Sequence, residues 1–415
     1  MATKINMESF KSYLSEQKNT HMTHVEDKVI YGGVKGTREA INALRELRNM
    51  LKGDHAGNVS VKWDGAPAIF AGTDPNDGRF FVAKKGIFNK NPKVYKTPAD
   101  VDADTSGDLA DKLKVALREL PSLGIKGIVQ GDFLYGPGDL KKEKINGESY
   151  ITFHPNTIVY AVPSNSEAAR AVRSAQIGIV WHTTYKGNTF EGLRASYGVD
   201  VSKFKKSKKV WSQDAMLRDL TNMTMSKKDT NDVDEYLSQA GKIFNKISGT
   251  TLRQLESHSE LPGLIETFGN KYVRRGDVIT DTRRHVSMLI RWIRLRYGKE
   301  IAKRKTEKGK TAQRDKLTTI LDFFSDENKK SLQQMFELQK VIVLAKLKLI
   351  NILNGLAKVK TFVKTQNGYK VTGEEGYVAI DKLGGDAVKI VDRMEFSYNN
   401  FSKDILKGWD KPGRN

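Results

Sequence analysis

The sequence predicts an α+β fold in which a β-rich domain with mainly antiparallel sheets is interrupted by an all-α, basic insertion. Three observations lead there. Between residues 58 and about 185, short apolar runs are punctuated by Gly, Pro, Asn and Asp, the pattern of strands joined by turns. From about 212 to 357 the apolar spacing changes to threes and fours, which is helical. After residue 358, strand-like runs separated by Gly-containing turns return. The last stretch is too short to fold alone. The helical block is therefore read as inserted into one domain, with residues 1–205 and 359–415 forming the split domain and 206–358 the insertion.

Each element follows in order. Thr37 is expected to cap a helix carrying Ile41, Leu44, Leu47 and Leu51 on one face. Strands are expected at 68–72, 79–83, 127–130, 157–162 and 177–181, with a second helix over 109–120. The lysine run 203–209 marks the entrance to the helical region. There Met216-Leu217-Leu220, Val286-Leu289-Ile290-Ile293 and Leu338-Val341-Ile342-Ala345-Leu349 share one helical face each. Residues 303–316 read as a solvated, mobile basic stretch. Strands resume at 359–363, 369–371, 376–380 and 387–391, with Gly384-Gly385 as a hairpin turn.

Composition narrows the class of function. With 415 residues, 38 % of them hydrophobic, the chain buries a sizeable core. Cysteine is absent, which excludes a disulfide framework and thiolate metal sites and fits a reducing cytoplasm. No apolar segment follows the N-terminus, so no signal peptide is expected. The apolar stretch 341–356 is broken by Lys346 and Lys348 and is too short to span a bilayer, so no membrane partner is expected. The formal net charge of +21 favours a polyanionic partner, because each neutralised phosphate releases counterions. Residues 271–316 hold 16 Lys/Arg against 5 Asp/Glu, a net of +11 in 46 residues, which points to a nucleic-acid surface. Candidate contacts are Arg291, Arg294, Arg296, Lys303, Arg304 and Lys305. Trp292 and Ile293, which interleave with the first three, read equally as the buried face of a helix.

The chemistry centres on Val61-Lys62-Trp63-Asp64-Gly65. A lysine nucleophile must be uncharged to attack a nucleotide α-phosphate, so it needs nearby cations or a desolvated pocket. Asp64 reaches ribose or positions the lysine, and Gly65 lets the backbone approach a ligand closely. This run resembles motif I of the covalent nucleotidyltransferase superfamily, which comprises ATP-dependent DNA ligases, RNA ligases and capping enzymes. Downstream, Ala83-Lys84-Lys85-Gly86 resembles the basic element of the next hairpin, with Lys85 where Arg is usual. Val129-Gln130-Gly131-Asp132-Phe133-Leu134-Tyr135-Gly136-Pro137-Gly138 resembles motif III, with Asp132 in place of Glu. Ile158-Val159-Tyr160-Ala161-Val162 resembles motif IIIa, whose aromatic residue stacks on the base.

Motif IV has two candidates. Phe190-Glu191-Gly192-Leu193-Arg194 has the more usual spacing, but no motif V follows it. Glu374-Glu375-Gly376-Tyr377-Val378 is followed by Asp386-Ala387-Val388-Lys389-Ile390-Val391-Asp392-Arg393, a strand bearing a lysine, and is preferred. Glu191 is then assigned to a helix start.

The resemblance implies a ligase-type nucleotidyltransferase domain in which Lys62 attacks ATP and forms lysyl-AMP. Glu375 and Asp132 would hold Mg²⁺ or ribose, Lys389 would contact the α-phosphate, and Lys85 and Tyr160 would help bind the nucleotide. The AMP would pass to a 5′-phosphate end, and a 3′-hydroxyl would displace it. Val391 stands where the family has a second lysine, with Arg393 available to compensate, and Pro67 stands where ligases carry Arg or Asn. With 26 residues after Lys389, no C-terminal OB-fold is expected, and RNA is slightly favoured over nicked DNA. The rival expectation is a non-catalytic nucleic-acid-binding or structural protein on a degenerate scaffold of this kind. His21 and His24 invite a metal reading, but a structural or substrate-contact role is preferred.

Overall fold

A computed structural model describes residues 23–53, 59–217, 225–355, 359–380 and 387–410. The chain is α+β with almost wholly antiparallel sheets. It opens with helices α1 (Lys28–Tyr31) and α2 (Gly33–Leu51). Strand β1 (Val59–Lys62) comes next, then β2 (Ala68–Thr73) and β3 (Phe80–Ala83), and helices α3 (Pro98–Asp104) and α4 (Gly107–Glu119). Strands β4 (Ile128–Tyr135), β5 (Lys141–Ile145), β6 (Glu148–Phe153) and β7 (Ile158–Pro163) lead to α5 (Glu167–Ser174). Then β8 (Ile177–Lys186), β9 (Arg194–Tyr197) and β10 (Val210–Asp214) close the first β-rich part. The helical block comprises α6 (Lys227–Phe244), α7 (Gly249–Ser257), α8 (Leu261–Arg275), α9 (Thr282–Ala302), α10 (Glu307–Asp322) and α11 (Asp326–Asn354). The chain finishes with β11 (Lys360–Thr365), β12 (Gly368–Val371), β13 (Gly376–Ile380), β14 (Ala387–Ile390), α12 (Arg393–Phe401) and β15 (Ile405–Leu406).

Three sheets result. One runs β10-β8-β4-β2-β3, a second β12-β11-β7-β6-β5, and a third, of three strands, β1-β13-β14. The last is stitched to the first by Ala215–Leu217: the Val61 amide donates to the Ala215 carbonyl at 2.8 Å, and the Leu217 amide to the Val59 carbonyl at 2.8 Å. The only parallel pair among the described strands is β8 with β10.

Side chains alternate across the three-stranded sheet. Val59, Val61, Tyr377, Ala379, Val388 and Ile390 point to one face and join a single hydrophobic core with α2, α8, α9 and α11. That core makes the helical block the floor of this sheet rather than an appendage. The opposite face carries Ser60, Lys62, Val378 and Lys389.

Several expectations are corrected. The second helix begins at Gly33, so Thr37 lies inside it and donates its hydroxyl to the Gly33 carbonyl at 2.7 Å rather than capping it. Met216 and Leu217 are extended partners of β1; pairing with a strand edge overrides their helical spacing, and Leu220 lies outside the described residues. Lys303–Lys316 is largely helical, with Lys310 and Arg314 paired to Glu307 and Lys316 to Glu260. Glu191 sits in an exposed turn between β8 and β9, not at a helix start. Gly384-Gly385 and His21 lie outside the described residues. No helix is long and apolar enough to cross a membrane among those residues.

Candidate active site

Lys62 ends β1, where Gly376 of β13 is its cross-strand partner. Its amine contacts the Glu375 carboxylate, 313 positions away in sequence. Lys389 on β14 stands opposite Val378, which itself stands opposite Ser60. Because side chains two apart share a face, Lys389 and Lys62 project from the same side of the sheet. Their mutual repulsion is felt: the Lys389 amine is held below its ordinary range, first by burial and then by Lys62, while Glu375 works against this.

Glu375 is pushed up to about 7. Burial is the main cause; Asp64 and Asp132 push the same way, and the Lys62 ammonium opposes them. A carboxyl near 7, in contact with a lysine amine, is suited to receive that amine's proton. Asp132, on β4, keeps 21 % of its side chain exposed and lies 3.6 Å from His182 Nε2.

The Lys62 turn is held rigidly. Asp64 is buried, with one carboxylate oxygen accepting from Asn156 Nδ2 at 2.6 Å. The other accepts from the amides of Thr157 and Ile158 at 2.6 and 2.8 Å. These bonds tie the turn to β7, so that of the two roles expected of Asp64, reaching ribose or positioning the lysine, they serve the second. Gly65 is needed for a similar reason. A Cβ there would fall 2.6 Å from Asp132 Cβ and 2.9 Å from the Phe133 carbonyl, so the close approach it permits is to β4.

Tyr160 is also reassigned. It is 0 % exposed, stacked on Trp63 at 4.8 Å and on Phe153 at 5.4 Å between ring centroids. Its hydroxyl accepts from the Asp64 amide at 2.6 Å. Both faces being covered, it buttresses the Lys62 turn and has no face for a base. Lys85 stands exposed on the short turn after β3.

At the motif V position, Val391 is buried and fills the space over Gly376, where a Cβ would lie 2.4 Å from Val391 Cγ2. Arg393 does not compensate. Its guanidinium grips both Asp27 oxygens at 2.9 and 3.0 Å and bonds Asn270.

Two further groups, Glu374 and His182, escaped the sequence reading. Glu374 lines a narrow cavity behind Glu375 with Asp392, Glu395, Asn399 and Asn400, a space with room for about one water. Burial pushes Glu374 up to about 8, and its Oε2 has no hydrogen-bond partner among the described residues. The doubled Glu374-Glu375 was the available signal. His182 beside Asp132 had none. His24, which the sequence singles out, is half-buried and bridges to Lys389, whose amide donates to the Thr23 carbonyl at 3.1 Å.

Among the described residues no group of three or more His, Cys, Asp or Glu could hold a metal ion by itself. Asp132, whose carboxylate is partly exposed, is of the type that Mg²⁺ takes singly or in pairs, with water and substrate phosphates completing its shell. All six basic candidates, Arg291, Arg294, Arg296, Lys303, Arg304 and Lys305, are exposed along and just beyond α9, while Ile293 is buried and Trp292 half-buried.

No curated protein and no solved structure matches the chain. Residues 19–405 match the family described as "Family of unknown function (DUF6267)", and the chain belongs to that family.

Proposed function

We propose that the chain is an ATP-dependent polynucleotide ligase-like enzyme of the covalent nucleotidyltransferase type, joining 5′-phosphate and 3′-hydroxyl ends, with RNA slightly favoured over nicked DNA. One observation carries this reading: Lys62, Glu375 and Lys389 converge on one face of a sheet, although the first two are 313 positions apart. A chance match to short motifs gives no reason for such convergence.

In this reading the Lys62 amine attacks the α-phosphorus of ATP. The N–P bond forms, the bond to the bridging oxygen breaks, pyrophosphate leaves, and the proton of the lysine passes to Glu375. Lys389 stabilises the charge that builds on the α-phosphate. Asp132 would hold Mg²⁺, which when bound neutralises triphosphate charge, and Glu375 is left to take the proton. The adenylate passes to a 5′-phosphate, and a 3′-hydroxyl displaces AMP. The exposed cations of α9 hold the nucleic acid.

The test is incubation with Mg²⁺ and α-labelled ATP or GTP, followed by a search for an acid-labile, base-stable protein adduct. Such an adduct is expected with ATP and is expected to vanish in Lys62→Ala. No adduct with either nucleotide overturns the enzyme reading, and an adduct that survives Lys62→Ala overturns the site. One observation favours a second reading, a nucleic-acid binder without catalysis: Val391 occupies the place of the second motif V lysine and is packed against Gly376.

A further inference from the structure

Helix α12 joins the candidate site to the helical block. Its inner side presents Phe396, Asn399 and Asn400 to the cavity behind Glu375. Its outer side exposes Tyr398 and Phe401, which are 44 % and 67 % accessible. Exposed rings of this size one helical turn apart are uncommon on a surface without a partner.

Each ring carries a cation, and the series continues onto α8 and α9. Lys370 lies 5.1 Å from the Tyr398 centroid, and Arg274 5.7 Å from that of Phe401. Arg275 lies 5.0 Å from Tyr272. Lys271 and Arg296 lie 4.7 and 5.4 Å from Trp292. Arg274 and Arg275 lie in the last turn of α8 and Lys271 one turn before them on the same face, so these pairs are contiguous. Charge there is poorly balanced. Arg275 has Asp277 at 2.8 Å, but Lys271 is held down by burial and by Arg275, Arg296 and Lys299.

We propose that the outer side of α12 and the adjoining ends of α8 and α9 form a track for a single-stranded stretch of polynucleotide leading away from the reacting end. Its occupant is chosen on the reading of the chain as a polynucleotide ligase. Exposed rings stack on bases, and the cations between them meet phosphates; this alternation is how single strands are held without sequence preference. An acidic polypeptide would use the cations and leave the rings idle. A duplex would hide the faces of its bases.

The experiment is fluorescence anisotropy of the full chain with a labelled single-stranded oligonucleotide. The matching duplex and poly-glutamate serve as competitors. Phe401→Ala and Tyr398→Ala are each expected to weaken binding about 5- to 100-fold. Arg274→Gln is expected to lower the slope of log affinity against log salt by about 0.7. Unchanged binding in Phe401→Ala and in Arg274→Gln overturns the track. So does displacement of the strand by duplex or poly-glutamate on equal terms. All three side chains are exposed, and circular dichroism checks the fold; if a ring variant unfolds, Arg274→Gln alone decides. Ring-dependent strand binding without any Lys62 adduct overturns the ligase reading and leaves the track. An adduct with ring-independent binding does the reverse.

Discussion

Two lysines near β14 are placed under opposite terms. Lys346, on α11, is 1 % exposed and lies 2.7 Å from Glu26. It belongs to a cluster in which Arg393 grips Asp27 and reaches Glu26 at 3.7 Å. Lys389 has no carboxylate within ion-pair distance among the described residues, and burial together with Lys62 destabilises its charged form. Two links separate them: His24 bridges to Lys389, and Glu26 follows two residues later. A buried cation with its own anion is scaffold. A cation without one, facing another lysine, is suited to an anion brought from outside.

The largest effect is expected at Lys346. Lys346→Ala leaves Glu26 buried with only the more distant Arg393, and is expected to cost about 3–5 kcal/mol of stability, read by urea denaturation. Lys346→Met combined with Glu26→Gln removes both charges and should restore much of that loss; equal instability of the two variants would mean that packing, not charge, holds this cluster. Lys389→Ala should leave the urea midpoint nearly unchanged while adduct formation slows roughly 100- to 1,000-fold. If its unfolding shifts as far as that of Lys346→Ala, the contrast between the two lysines is lost.

Glu374 sharpens the comparison through pH. Its folded-state value is raised from 4.5 to about 8 by burial. Below 4.5 both folded and unfolded forms hold the proton. Between 4.5 and 8 only the folded form keeps it, so stability falls as pH rises, and the loss levels off above 8. Glu374→Gln carries no charge at any pH. Its melting temperature should rise relative to the parent from pH 5 to 8.5, by the equivalent of a few kcal/mol, and a gap independent of pH would refute the burial argument. The smallest effect is expected at Lys85: exposed as it is, Lys85→Ala should change stability by less than about 0.5 kcal/mol. A rise in the ATP concentration needed for half-maximal adduct formation would show that it nonetheless faces the nucleotide.

Much of the fold was legible because local pattern and tertiary context agree there. The runs at 68–72, 157–162 and 376–380 alternate or stay apolar as buried strands do, and β2, β7 and β13 lie there. Strand β10 was missed because the preceding lysines mask it and its neighbour is parallel and distant in sequence. At the site, the order of the motifs brought Lys62, Glu375 and Lys389 onto the page. What motifs did not convey was which polar groups would already be satisfied. Asp64 is consumed by backbone amides, Tyr160 by two rings and an amide, and Arg393 by Asp27 and Asn270. Apart from Phe153, which is near Tyr160 in sequence, each of these partners lies more than 90 positions away, beyond any local window.

The separation between Lys62 and Glu375 also sets a clock. During synthesis at about 5–20 residues per second, roughly 15–60 s pass between the appearance of one and of the other. In that interval β1 lacks β13, its partner in the three-stranded sheet. The helices of the insertion are synthesised before β13 and β14, and they supply the floor against which those strands pack. A nascent chain therefore carries Lys62 long before it carries Glu375, and the pair is completed only after the helical block has been made.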